Sequence, residues 1–217
     1  MTQNRYSDAE IAAVYRVIYE RRDMRHFLPD PVDPELLSRL LHAAHHAPSV
    51  GFMQPWRFIQ INCVDLRKAV HALVEQERIL TAQALNERES EFMQLKVEAI
   101  LECPIVLVAA LCDQRERHIF GRRTLPEMDF ASLACAIQNM WLAARAEGLG
   151  LGWVSLFEPE ALKQLLNMPD DSQPIAILCL GHVQQFYDKP MLEQEQWAER
   201  QNLHDLVFEN TWNTPCR

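Results

Sequence analysis

Arg21-Arg22-Asp23-Met24-Arg25 sets three guanidiniums around one carboxylate, directly after a stretch that reads as the first helix. That helix opens on a capping box, Ser7 with Glu10, and carries Ile11, Val14, Tyr15 and Ile18 at helical spacing, so it is expected to run to about Arg22. Arginine forks are planar, permanently charged and bidentate, which suits phosphates and polarised carbonyls. Cations at a helix end also complement its dipole, the plainer reading of the same residues. Asp23 fits an anion site poorly, because a carboxylate weakens the positive field. It is either a structural partner for the arginines or a participant in chemistry.

Two further segments frame it. Ala47-Pro48-Ser49-Val50-Gly51-Phe52-Met53-Gln54-Pro55-Trp56 follows a second helix that Asp33-Pro34 should open and Pro48 should end, with Leu36, Leu37, Leu40, Leu41 and Ala44 on its buried face. The tight turn at Pro48 to Gly51 can turn a hydroxyl and backbone amides toward a ligand, although Pro55 and Trp56 also suit a plain packed corner. Gly148-Leu149-Gly150-Leu151-Gly152-Trp153-Val154-Ser155 lies far down the chain. It is not the dinucleotide fingerprint, which runs from strand through glycines to helix, because here a helix precedes and a strand follows. Such glycines let backbone approach a flat ligand or close a helix onto a sheet.

The rest of the pattern is one α+β domain over residues 1–217, a few strands covered by helices. Phe58 to Asn62 alternates as a strand, and Asp65 to about Ile100 is charged and helical, expected as two helices. Ile105 to Leu111 is a continuous apolar run, the mark of a central strand buried on both faces. A long helix is expected from Asp129 to Glu147 with Gly148 as its stop, then strands at Gly152 to Leu156 and Ile175 to Leu180 around a short helix after Pro159. The tail, 184–217, has little periodicity but carries Trp197, Leu203, Leu206, Val207, Phe208 and Trp212, and is expected to wrap its own domain or a partner subunit.

Bulk properties narrow the partners. A net charge of -9 and a pI near 5.4 argue against nucleic acid or an anionic membrane, so the arginine cluster is local and site-like. Six cysteines occur without a C-x-x-C pair and mostly in apolar stretches, which argues against a disulfide framework or zinc site. His42 and His46 are spaced i, i+4 but lack the H-E-x-x-H pattern, and no metal site is expected. The first residues lack the apolar stretch of a signal peptide, so the cytoplasm is the expected location.

Together the three segments resemble the FMN-dependent nitroreductase fold family over nearly the whole chain, where R-R-S-x-R, P-S-x-x-N-x-Q-P-W and G-x-G-x-x-W segments hold FMN. The resemblance implies a central mixed sheet covered by helices, in a domain-swapped homodimer with FMN at the interface. It places Arg21, Arg22 and Arg25, with Asp23 and Met24 among them, along the flavin phosphate, ribityl chain and pyrimidine edge. Ser49, Val50, Gly51 and Gln54 would lie along the isoalloxazine, and Gly152, Trp153, Val154 and Ser155 near its N5 side. Two departures matter. Asp23 stands where the family has Ser, and the usual Asn is replaced within Ser49 to Gln54.

With those departures the chain looks like the oxygen-dependent, flavin-fragmenting branch of the family, as does Pro126-Glu127-Met128-Asp129 running into Ala136-Ile137-Gln138-Asn139. That branch implies reduced FMN as both substrate and cofactor and O2 as co-substrate, giving the lower ligand of cobalamin and erythrose 4-phosphate. NAD(P)H acting indirectly, or a separate flavin reductase, would supply the electrons. A carboxylate near the ribityl chain is a credible general acid/base, which makes Asp23 a candidate catalytic residue and Ser155 a second. The plainer alternatives are an Asp23 that only pairs Arg22 or Arg25 and a Ser155 that caps its own strand. An ordinary NAD(P)H-dependent nitroreductase or quinone reductase, or a non-catalytic FMN-binding dimer, are the rival functions.

Overall fold

The computed structural model describes residues 4–212 and 214; Cys216 and Met1 to Gln3, which bear on the thiol and leader readings, lie outside them. The apolar run Ile105–Leu111 forms strand β2, buried at every position. It lies inside a four-stranded sheet with β1 (Trp56–Gln60), β3 (Leu149–Val154) and β4 (Gln173–His182), in the order β1-β2-β4-β3. All neighbouring strands pair antiparallel. The parallel component of the expected mixed sheet reduces here to one bridge, between Asp23 and Leu151.

Alternate residues of β2 feed two cores, as the pleat requires. Leu107, Ala109 and Leu111 pack with Leu37, Leu40 and Ala44 of helix α2 (Pro34–His45) and Leu133, Ile137 and Met140 of helix α5 (Met128–Ala146). Val106 and Val108 pack on the opposite face with Val70 and Val74 of helix α3 (Val64–Ala84) and Leu162 of helix α6 (Pro159–Leu165). Helix α4 (Glu89–Gln94) and the short helix α7 (Met191–Gln194) sit outside these layers. Among the described residues no helix is long and apolar enough to cross a membrane, and the five described cysteines are free.

Of the boundaries that differ from the sequence reading, three have a clear tertiary reason. Helix α1 (Asp8–Glu20) keeps its capping box but stops before Arg21, whose extended backbone (φ -59°, ψ 134°) releases the arginine segment. That segment then runs beside β3, with the Met24 N–H donating to the Leu151 carbonyl at 3.0 Å. Strand β1 begins at Trp56 rather than Phe58, because pairing with β2 starts at Trp56 against Leu111. Strand β3 begins at Leu149, paired with His182, so Gly150 and Gly152 lie inside it rather than before it.

Gly152 has a steric reason. A Cβ there would stand 2.2 Å from the Met24 carbonyl oxygen and 2.5 Å from an Arg25 guanidinium nitrogen. Gly152→Ala must therefore push the arginine strap off the sheet, at an expected cost of about 1–3 kcal/mol, the scale of overpacking. Chemical denaturation checks this; an unchanged midpoint would mean the strap is not held against β3.

Candidate active site

The segment Arg21–Arg25 forms one wall of a cavity of about 870 Å³. Arg21, Arg22, Asp23 and Arg25 all line it. Met24 does not, being fully buried behind the wall against Gly150. The opposite wall comes from Phe92, Leu95 and Val97 around α4 and from the C-terminal segment, including Met191, Trp197 and Arg200. The apolar tail therefore folds partly onto its own domain. Arg88 pins it there, its guanidinium 3.5 Å from the Trp197 ring centroid and hydrogen-bonded to the Trp197 carbonyl at 3.0 Å.

The three sequence-adjacent arginines have different surroundings. Arg25 is buried and faces Asp23 as a fork, at 2.6 Å to Oδ1 and 2.7 Å to Oδ2, with a third bond to the Trp153 carbonyl at 2.8 Å. Arg22 donates to the carbonyls of Tyr19, Arg21 and Asp188 at 2.7, 2.8 and 2.9 Å, so it ties the end of α1 to the C-terminal segment. Arg21 lies over the Trp141 ring at 4.5 Å, and the Trp141 indole N–H donates to the Arg22 carbonyl at 3.0 Å. Burial lowers the Arg21 pKa; Asp23 opposes this, while the like charges of Arg22 and Arg200 add to it.

Asp23 does pair with Arg25, yet 42% of its side chain remains accessible on the cavity wall. Its Oδ1 also accepts the Trp153 N–H at 2.9 Å. Burial raises its pKa above the ordinary 3.8, outweighing the pull of Arg25, the Trp153 N–H and Arg21. The carboxylate is thus recessed among protein atoms while still open to a ligand. Because the folded pKa is raised, the folded state binds the proton more tightly. Asp23's contribution to stability is present below pH 3.8 and is lost as pH rises through the folded pKa.

The other predicted residues fall in two places. Gly152, Trp153 and Val154 belong to β3, where the Trp153 backbone holds Asp23 and Arg25, and Ser155 is exposed just past the strand end. None of these four lines the cavity, and neither do Ser49, Val50, Gly51 and Gln54. The Val50 N–H donates to Ser132 Oγ at 3.0 Å near the start of α5, whereas Arg22 meets Trp141 nine residues later. At 1.5 Å per residue those anchors are about 14 Å apart along the helix. The turn is nonetheless sharply shaped: Gly51, Phe52 and Gln54 have φ of 52°, 54° and 51°, and a Cβ on Gly51 would stand 2.8 Å from the Phe120 carbonyl oxygen. Sequence reading missed the second wall, above all Arg200. A lone arginine in an aperiodic tail carries no spacing signal.

The sequence model of the nitroreductase family matches residues 18–182. The chain belongs to the nitroreductase family and is an oxidoreductase of it. Within that family it is 40% identical over 184 residues to the 5,6-dimethylbenzimidazole synthase of Rhodospirillum rubrum, covering 83% of this chain and 86% of that protein. It is 39% identical over 189 residues to the 5,6-dimethylbenzimidazole synthase of Rhodobacter capsulatus, covering 86% and 91%. The fold is shared with a BluB-like flavoprotein from Clostridium difficile 630, at a TM-score of 0.70 and 17% identity over 91% of this chain and 99% of that one. It is also shared with iodotyrosine deiodinase bound to FMN and 3-iodo-L-tyrosine, at a TM-score of 0.69 and 21% identity over 93% and 99%.

Proposed function

We propose that the chain converts reduced FMN and O2 into 5,6-dimethylbenzimidazole, the lower ligand of cobalamin, and erythrose 4-phosphate. The observation that carries this reading is Asp23, a recessed carboxylate on a cationic cavity wall where the family's reductases are expected to carry a hydroxyl. The relatives named for that synthase, at 36–40% identity, support it.

The cavity suits FMN. Its volume of about 870 Å³ lies in the range of small-molecule sites. Arg21 and Arg200 line it close enough for Arg200 to depress the Arg21 pKa, a repulsion that a phosphate between them would relieve. When bound, FMN supplies the carbon skeleton of the product and, once reduced, the electrons that activate oxygen. Arg21 and Arg200 would hold the phosphate, and Phe92, Leu95 and Trp197 would exclude water from the flavin.

Asp23 moves the proton. Its Oδ1 accepts two bonds and its Oδ2 one, so the spare acceptor position is at Oδ2. Arg25 and the Trp153 N–H fix the carboxylate, and with FMN bound Oδ2 would be the atom that accepts a proton from the ribityl chain and gives it back. Ser155 donates a hydrogen bond on the N5 side of the ring. The turn at Ser49 to Gln54 reaches the ring from a second copy of the chain, since it stands about 14 Å along α5 from the arginine wall. The exposed Tyr19, Phe52 and Phe120 are apolar surface that such a homodimer would cover. Electrons come from NAD(P)H indirectly or from a separate flavin reductase.

The decisive experiment mixes pure protein, chemically reduced FMN and air, and searches for dimethylbenzimidazole by mass spectrometry. Product is expected. Full recovery of intact FMN overturns the reading; rapid NAD(P)H oxidation alongside it would indicate a reductase, and none would indicate a flavin carrier. Ser155→Ala is expected to lower turnover by about tenfold at unchanged FMN affinity, the worth of one hydrogen bond. Single-turnover kinetics at saturating FMN checks it, and a wild-type rate removes Ser155 from the chemistry.

A further inference from the structure

We propose that His71, Glu75 and Glu98 form a binding site for a divalent transition-metal ion of the zinc class, outside the flavin cavity. His71 and Glu75 are four residues apart on one face of α3, and Glu98 comes from the stretch after α4. One ligand atom from each lies within 4.8 Å of the others. Around a tetrahedral zinc with bonds near 2.0–2.1 Å, neighbouring ligand atoms are about 3.3 Å apart. The His71 Nε2 to Glu98 Oε1 separation, 3.6 Å, is already near that spacing.

Glu98 is already oriented for the task. Its Oε2 accepts the Ile100 N–H at 2.6 Å, while Oε1 faces His71 Nε2 at 3.6 Å, too far for a hydrogen bond. A ligand carboxylate steadied by a backbone donor is the usual outer arrangement of metal sites. The three side chains are recessed but reachable, with 13% of Glu98, 29% of His71 and 33% of Glu75 accessible. Neutral imidazole with two carboxylates matches a divalent charge, and one nitrogen with two oxygens suits zinc, cobalt or manganese rather than a thiophilic ion.

Arg78 is the neighbouring cation. It touches Glu75 only at 3.4 Å, while its other terminal nitrogen is committed to the carbonyls of Met93 and Leu95 at 2.7 and 3.2 Å. Turning Glu75 toward a metal takes the partner from that first nitrogen, while the two carbonyl bonds keep the rest of the guanidinium in place. An ion here joins α3 to the stretch that carries Leu95 and Val97 onto the cavity wall, and so acts as a clamp on that wall. The sequence pattern conceals the site because Glu98 stands far from the His71–Glu75 pair along the chain.

The test titrates chelator-stripped protein with Co2+, reading visible absorption, then displaces it with Zn2+ and measures melting temperature. One equivalent per chain, displaced by Zn2+ and accompanied by a higher melting temperature, is expected. His71→Ala and Glu98→Gln are each expected to weaken binding by at least about tenfold. Glu98→Gln keeps an oxygen for the Ile100 N–H, so it guards against simple unfolding. Absence of cobalt bands at millimolar Co2+, or bands that survive in His71→Ala, overturns the proposal; the latter would move the ion to another histidine pair such as His42 and His46.

Discussion

Asp23→Asn is expected to leave FMN bound while cutting formation of dimethylbenzimidazole by about 10²- to 10⁴-fold, the range for one positioned acid–base group. The substitution keeps the side-chain oxygen that accepts the Trp153 N–H, so the strap should stay on β3. It removes the basic Oδ2 and half of the fork to Arg25, whose side chain is only 9% accessible. A destabilisation of about 1–3 kcal/mol is therefore expected beside the catalytic loss, because a buried guanidinium loses a charged partner. The two effects separate by measurement. Calorimetric melting reports the structural part, and turnover at saturating reduced FMN reports the chemical part. In the wild type the acidic limb of the pH–rate profile, where Asp23 takes up the proton that stops it acting as a base, should lie above the ordinary carboxylate value of 3.8, because burial raises the Asp23 pKa, and Asp23→Asn should abolish that limb. A variant that binds FMN, melts lower and makes product at the wild-type rate would reduce Asp23 to a support for Arg25.

What the sequence shows of this molecule follows the range of each signal. The capping box at Ser7 and Glu10, the Asp33-Pro34 helix start and the apolar run of β2 are local signals, and the two helix starts and that strand lie where they were read. The arginine segment stands out in the sequence as a local run of charge, and four of its five residues line one cavity. The start of β3 was not, since it depends on Leu149 pairing with His182, a partner that periodicity within the glycine segment does not reveal. Nor was the second cavity wall. Arg22 reaches the Asp188 carbonyl and Arg88 grips Trp197, contacts that span 166 and 109 residues of chain. Separation of the Ser49 turn from the arginine wall has the same origin: both segments anchor on α5, but at positions set by Ser132 and Trp141, and only three-dimensional packing says how far apart those anchors fall.

Arg200 carries the second large effect. Arg200→Ala is expected to weaken FMN binding by about 10- to 100-fold, the worth of a charged hydrogen bond, and to leave riboflavin binding unchanged because riboflavin has no phosphate. Arg21→Ala should weaken FMN comparably, although it also uncovers the Trp141 ring, which makes Arg200 the cleaner probe. The double variant distinguishes a shared phosphate from two separate contacts. Burial is the main reason the Arg21 pKa is lowered, and the like charge of Arg200 adds a smaller share; that repulsion in the free protein is what a bridging phosphate would relieve on binding. Either single substitution loses one contact together with the relief. The double substitution loses both contacts but the relief only once, so its penalty must be smaller than the product of the two single penalties. Fluorescence titration of all four proteins with FMN and riboflavin measures the cycle. Strictly multiplicative losses would place the arginines on different parts of the ligand, and equal losses for riboflavin would show that Arg200 shapes the cavity wall rather than reading the phosphate.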